Sequence, residues 1–266
     1  MKHERIRVFV SVLFGLALLG VATLAHAAKG DVGEKGEQIY IWHFDEGKGK
    51  TVKEANGKGP EGVFTGPIEW TEGVSETGLL LSGQPGDPQF VEFDGSDHLD
   101  ITEAITLGAW VYLDELPQGD QANKGTIVYK NTYYLQIEPP NGNLAYYFYD
   151  TAPPGYHISS VSVKPKEWNH VAVTWDGSTI RFYVNGKQDP VEIDQKGPGR
   201  STPGKTVRLG GENNNCCPRF LNGKVDDLLI ANYALSEGDI NDLINTALDV
   251  RPAGKLATRW AALKTR

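Results

Sequence analysis

The sequence has little sulfur. Its 266 residues hold one methionine and two cysteines, Cys216 and Cys217, which are adjacent. Adjacent cysteines reach the separation of a standard disulfide only with strain. A vicinal disulfide, two reduced thiols and intermolecular pairing all stay open for them. No other cysteine and no histidine lie nearby in sequence, which argues against a metal site there. A surplus of positive charge is also missing. The formal net charge is −8, and the chain beyond residue 27 carries about −10 once Lys2, Arg5, Arg7 and Glu4 (net +2) are set aside. That balance argues against a nucleic-acid partner and is compatible with neutral glycans, cations or a basic partner.

Long apolar runs are absent except for Val8 to Leu24, which is short for a membrane span of roughly 20 residues. This run follows Lys2, Arg5 and Arg7 and precedes Ala25-His26-Ala27, a small-x-small cleavage pattern. Residues 1–27 are therefore expected to be a signal peptide. The mature protein is expected to be secreted, cell-surface or periplasmic, with no membrane span of its own. No cysteine lies near the cleavage site to carry a lipid anchor. Several catalytic signatures are missing as well. There is no Gly-x-Ser-x-Gly elbow, no Gly-rich phosphate loop and no His-Glu-x-x-His.

What is present is turn chemistry and short strand signals. Thirty-one glycines and fifteen prolines punctuate the chain, with 11 tyrosines, 9 phenylalanines and 6 tryptophans between them. Residues 28–37 read as a linker. Strand signals follow at Ile39 to Phe44, Gly78 to Leu81, Phe90 to Phe93 and Ile105 to Leu113. Tyr133 to Ile137 and Leu144 to Tyr149 flank the turn Pro139-Pro140-Asn141-Gly142. In Trp168 to Trp175 the apolar Val171, Val173 and Trp175 alternate with Ala172 and Thr174, and Ile180, Phe182 and Val184 line the next strand. Asn185-Gly186 is a strong type I′ hairpin signal. Val225 to Ile230 closes the strand series. Ser236 then caps a short helix that carries Ile240, Leu243 and Ile244 at helical spacing. About a dozen strands and one helix are expected, which favours a sandwich. Residues 38–248 form the domain, and 249–266 form a basic tail, either frayed or used for interaction or sorting.

Five segments, in order, carry a resemblance. Trp42-His43-Phe44-Asp45-Glu46-Gly47, Phe93-Asp94-Gly95-Ser96-Asp97-His98-Leu99 and Ile105-Thr106-Leu107-Gly108-Ala109-Trp110-Val111 are three of them. Trp168 to Gly177 with Phe182 to Gly186, and Gly223 to Ile230 with Ala234-Leu235-Ser236, complete the set. The chain resembles laminin-G-like, concanavalin A-like jelly-roll domains over roughly residues 38–247. The resemblance implies an all-β, two-sheet antiparallel jelly roll with one short C-terminal helix. It implies recognition of carbohydrate or of an extracellular protein, frequently with bound calcium.

The candidate site residues follow from both readings. Calcium takes six to eight hard oxygens. Asp45 ends the first strand and Asp226 begins the last, and terminal strands of a sandwich often neighbour each other. Alternation puts Asp226 on the core face with Leu228 and Ile230, where a carboxylate needs a cation or several N–H donors. Asp94 and Asp97 are a second candidate pair, although an Asp-Gly-Ser-Asp turn is also ordinary turn chemistry. For glycan binding the candidates are Tyr147, Tyr149 and Tyr156, with the amides Asn213, Asn214 and Asn215 beside Cys216 and Cys217. Tyr147 and Tyr149 share a strand face, whereas Tyr146 and Tyr149 do not. Some relatives are glycoside hydrolases, which need paired carboxylates. The nearest run, Glu192-Ile193-Asp194-Gln195-Lys196-Gly197, lacks the closing Glu and is expected to leave the sheet. His170 and His43 are expected to be structural, His170 as a hydrogen-bonded core-edge residue. A non-catalytic binding module is the leading expectation, with a hydrolase or an adhesive surface protein as alternatives.

Overall fold

The computed structural model describes residues 36–84, 86–119, 124–212 and 218–248. The expected signal peptide (1–27), most of the expected linker (28–37), the Asn213–Cys217 stretch and the C-terminal 249–266 segment lie outside these residues. In chain order the first strands are β1 (Ile39–Trp42), β2 (Thr51–Val52), β3 (Gly62–Thr65), β4 (Glu69–Glu72), β5 (Thr77–Ser82), β6 (Phe90–Phe93) and β7 (Ile105–Tyr112). They continue as β8 (Gly125–Tyr129), β9 (Tyr133–Glu138), β10 (Asn143–Phe148), β11 (Tyr156–Ser162), β12 (Trp168–Trp175) and β13 (Thr179–Val184). The rest are β14 (Lys187–Gln188), β15 (Ile193–Asp194), β16 (Val207–Leu209), β17 (Gly211–Glu212), β18 (Arg219–Phe220) and β19 (Asn222–Ala231), followed by α1 (Glu237–Leu248). Six of these are two or three residues long, too short to leave a periodic signal, and their presence accounts for the excess over a dozen.

Two antiparallel sheets stack face to face. The first runs β14-β13-β12-β7-β19-β5-β4, with β1 also on β19 and β15 also on β13. The second runs β11-β10-β9-β8-β16-β6-β3-β2, and β17 and β18 form a separate ribbon. The core between the sheets is aromatic at its centre. Trp42 packs on Phe93 with ring centroids 4.7 Å apart, and Phe148 meets Trp175 edge-on at 4.8 Å. Such pairs add to the stabilisation from apolar burial.

The first sheet also buries its outer face. Ile41, Trp110, Ala172, Tyr183 and Leu229 pack there against Leu235, Ile240, Ile244 and Ala247. Helix α1 supplies the last three at one-turn spacing, as its sequence period requires. Ser236 caps the helix. Its Oγ accepts from the Asp239 N–H at 3.2 Å, while Asp239 Oδ2 accepts from the Ser236 N–H at 3.0 Å. With one outer face covered by the helix, the other outer face, on the second sheet, becomes the place to look for a site. Among the described residues no helix is long and apolar enough to cross a membrane.

Three expectations are corrected. Strand β1 ends at Trp42 because Phe44 sits at φ 57°, outside the strand region. The Ile193-Asp194 pair does not leave the sheet but adds an edge strand, with Thr179 opposite Asp194 and Ile180 opposite Ile193. Asp226 does not share a face with Leu228 and Ile230. Asp226 pairs with Trp110 and Leu229 with Gly108, so β19 holds one residue more than β7 between those rungs. This bulge flips the alternation. Val225, Leu228 and Ile230 face the core, and Asp226 falls on the helix-side face with Trp110 and Leu229.

His170 is buried and structural, but its ring is less satisfied than expected. It stands edge-on to Trp110 at 5.3 Å, and its Nδ1 meets no hydrogen-bond partner. Burial lowers its pKa to about 4, with Asp227 opposing. The depressed value means that acid protonates the unfolded chain first. Stability from the neutral ring is intact above pH 6.5 and is lost as pH falls towards 4, by about 3 kcal/mol at 1.4 kcal/mol per pH unit. His170→Phe should remove that part of the acid limb when denaturation midpoints are compared across pH 4 to 7. An unchanged limb would show that the ring is not the group responsible.

Candidate functional site

The terminal strands do pair, β1 against β19, with Trp42 opposite Leu228. Extending that register places His43 opposite Asp227, and those two make the contact, at 2.5 Å between Nδ1 and Oδ1. Asp45 and Asp226 are not the pair. Asp226 is 1% exposed, and its carboxylate accepts from the N–H groups of Val74 at 2.8 Å, Ser75 at 3.4 Å and Asp227 at 2.8 Å. A Cβ on Gly73 would lie 2.4 Å from Asp226 Oδ2, so only glycine lets the 73–76 turn close over the carboxylate. Burial and the neighbouring Asp227 charge push the Asp226 pKa up, and the three N–H donors oppose this. Asp45 lies on an exposed loop. Partial desolvation, then Glu76, raise its pKa to about 6. Asp94 and Asp97 are both exposed, Asp97 within the 3₁₀ turn Asp97–Leu99. Among the described residues no three or more His, Cys, Asp or Glu side chains are arranged to hold a metal ion. The N–H donors that occupy Asp226 also make it a poor fit to calcium, which would compete for the same oxygens.

The polar groups converge elsewhere, on the outer face of the second sheet. In β9 the core-facing Tyr133, Leu135 and Ile137 alternate with Tyr134, Gln136 and Glu138. In β10 Leu144, Tyr146 and Phe148 face in, which sends Tyr147 out. Cross-strand pairing sets Tyr134 beside Tyr147, and Tyr147 beside Tyr156. The Tyr134 and Tyr147 rings stack at 5.4 Å and 12°, and Tyr149 closes on Tyr147 at 4.4 Å. Tyr129 flanks Tyr134 at 6.4 Å.

Ring faces on this surface already have neighbours. Tyr134 lies between Tyr129 and Tyr147, Arg200 lies 4.9 Å from the Tyr149 centroid, and Lys124 Nζ lies 4.2 Å from that of Tyr156. What the cluster offers outward is phenolic oxygen. The hydroxyls of Tyr134, Tyr147 and Tyr149 make no hydrogen bond to the described residues. Burial raises the pKa of Tyr134 and of Tyr149, with neighbouring tyrosines adding to it, so both stay protonated and able to donate as well as accept. The Tyr156 hydroxyl is different. It donates to Glu138 and accepts from Gln136 and Lys124, which makes it part of the scaffold under the face.

Charged groups frame the three hydroxyls. Arg219 and Glu212 form a 2.8 Å ion pair, 12% and 6% exposed at the side chain, and both act electrostatically on Tyr134 and Tyr149. They come from the β17–β18 ribbon, in which Glu212 is opposite Arg219. The Asn213–Cys217 stretch joins those two strands and lies outside the described residues. Arg200 makes a two-pronged contact with Asp150, at 2.8 and 2.7 Å. Tyr134, Arg200, Glu212 and Arg219 were not singled out from sequence. The alternation of β9 was the signal for Tyr134, whereas Arg200 comes from a loop and Glu212 and Arg219 from two-residue strands too short to show a period.

A second concavity, of about 460 Å³, lies at one end of the sandwich between Leu113–Gln118 and Phe220–Asn222. Its walls combine the apolar Leu113, Leu116, Pro117, Phe220 and Leu221 with the polar Gln84, Glu115, Gln118 and Asn222. It has no comparable set of convergent tyrosine hydroxyls.

A two-sheet jelly roll with one helix-covered face and one tyrosine-bearing face defines a lectin-like sandwich. The sequence profile of the concanavalin A-like lectin/glucanases superfamily, laminin G type, matches residues 85–241, and the chain belongs to that superfamily. No curated protein matches by sequence. Among solved structures the chain is similar to domain 4 of AbnA, a GH43 extracellular arabinanase from Geobacillus stearothermophilus, in complex with arabinotriose. The TM-score is 0.58 at 19% identity, covering 78% of this chain and 98% of that one. It is also similar to the binding domain of botulinum neurotoxin DC in complex with SialylT, with TM-score 0.55 at 16% identity over 79% of this chain. The binding domain of Paraclostridial Mosquitocidal Protein 1 follows, with TM-score 0.54 at 15% identity. The chain spans about half the length of these two toxin domains, 51% and 52%.

Proposed function

We propose that this is an exported, non-catalytic module that binds carbohydrate on the outer face of its second sheet. The observation that carries the reading is the trio of hydroxyls on Tyr134, Tyr147 and Tyr149 that make no hydrogen bond to the described residues, held on the neighbouring strands β9 and β10 and the turn after β10, beside the Arg219–Glu212 pair. Sugar hydroxyls need donors and acceptors that are already oriented, and a paired sheet supplies that rigidity. The arabinanase domain in complex with arabinotriose supports the same direction, as does the neurotoxin domain in complex with SialylT.

Two features support binding over hydrolysis. Hydrolysis needs one carboxyl group held protonated opposite another. The carboxylates on this face are instead paired with cations, Glu138 with Lys124 at 2.8 Å and Glu212 with Arg219 at 2.8 Å. The carboxyls with raised pKa, Asp45 and Asp226, belong to the other sheet and its loops. Calcium plays no part in this reading, so a chelator should leave binding unchanged.

The test is a glycan array, followed by affinity measurement with Tyr147→Phe. Loss of one hydroxyl that bonds the ligand costs on the order of 1.4 kcal/mol, or about tenfold in Kd. An array without binders would shift the assignment to an extracellular protein partner. Equal affinity of the variant would remove Tyr147 from the site.

A further inference from the structure

Resting on that reading, we infer that the site is built for neutral oligosaccharides and against uronate or sialylated ones, and that Asp150 and Glu212 set this preference. The toxin-type neighbours do not suggest it. It follows from how charge is arranged around the tyrosines. Two arginines reach the hydroxyl cluster, Arg200 against Tyr149 and Arg219 beside Tyr134. An arginine fork is the side chain best suited to grip a sugar carboxylate. Here each fork is already engaged by a carboxylate of the protein. Asp150 takes Nε and Nη2 of Arg200 at 2.8 and 2.7 Å, and Glu212 takes Nη1 of Arg219 at 2.8 Å.

The same arrangement extends along the sheet. Lys124 is held by Glu138 at 2.8 Å and Arg208 by Glu92 at 2.7 Å. A carboxylated ligand would have to displace Asp150 or Glu212 from its arginine, or sit beside it as a like charge. A neutral ligand faces neither penalty. The net negative charge of the chain, −8, adds a weak repulsion of anions at longer range.

Asp150 provides a clean test. It is exposed and sits at φ 67°, a conformation that asparagine adopts at least as readily, so Asp150→Asn frees Arg200 without straining the turn. The probes are an array of neutral oligosaccharides with their uronate and sialylated counterparts, and the pair arabinotriose and trigalacturonate in solution. The wild type should bind neutral sugars at least about tenfold better at low salt, a difference that narrows as salt screens the repulsion. Asp150→Asn should gain about fivefold for the anionic members, a gain that fades between about 0.05 M and 0.5 M salt. Glu212→Gln, folded by its melting curve, should shift preference the same way.

Equal or tighter binding of anionic glycans by the wild type would overturn the inference and leave the carbohydrate reading standing. A wild type selective for neutral sugars whose selectivity neither variant changes would overturn the role given to Asp150 and Glu212. Absence of binding to every glycan would overturn the carbohydrate reading itself, and the inference with it.

Discussion

Asp226→Ala is expected to lower stability by about 3 kcal/mol, since each buried N–H left without an acceptor costs on the order of 1–3 kcal/mol. Three backbone donors point at this carboxylate, at 2.8, 3.4 and 2.8 Å, and the 73–76 turn has closed over it. Alanine would leave those donors facing a void. For a domain of this size that loss corresponds to a melting temperature lower by about 6–12 °C. Asp226→Asn keeps one acceptor oxygen in a side chain of the same shape, so it should lose much less. A thermal melt of both variants decides the matter. If alanine and asparagine melt together near the wild type, the carboxylate is not what holds the turn.

The second large effect is on binding. Replacing Tyr134, Tyr147 and Tyr149 together by phenylalanine is expected to weaken the tightest array ligand by about 100-fold. The estimate takes roughly 1 kcal/mol per lost hydrogen bond and 1.4 kcal/mol per tenfold in Kd. The rings, their stacking and the sheet stay in place, and the hydroxyls make no bond to the described residues that folding would miss. The melting temperature should therefore stay within a few degrees of the wild type. Weak binding together with a collapsed melt would point to a structural role for these hydroxyls instead.

Much of the fold was legible because it rests on local patterns. Phe90 to Phe93 is a strand as read, Asn185-Gly186 turns β13 into β14 with φ of 52° and 76°, and Ser236 caps α1. The site was legible only in part. Tyr147 and Tyr149 were read as able to share a strand face; their rings meet at 4.4 Å, with Tyr149 one residue past the end of β10. Their strongest neighbour, Tyr134, was within reach. Pro139 to Gly142 was recognised as the turn, and counting back equally from a four-residue turn sets Tyr134 opposite Tyr147.

Two things were not readable. The extra residue at Asp226 and Asp227 reverses the strand's alternation, and nothing in Gly223-Lys224-Val225-Asp226-Asp227-Leu228 signals a bulge. This is why the expected Asp45–Asp226 pair gave way to His43–Asp227. The ion pairs that frame the tyrosines join residues 50 and 7 positions apart. Such contacts depend on how the sheets stack and carry no sequence period.

The most direct test of the tyrosine face as the carbohydrate site is a crystal structure of the protein with its tightest array ligand. The expected result is sugar oxygens within hydrogen-bond distance of the Tyr134, Tyr147 and Tyr149 hydroxyls, with Arg200 still on Asp150. A sugar seated instead in the end groove between Leu113–Gln118 and Phe220–Asn222, with the tyrosine face empty, would contradict it.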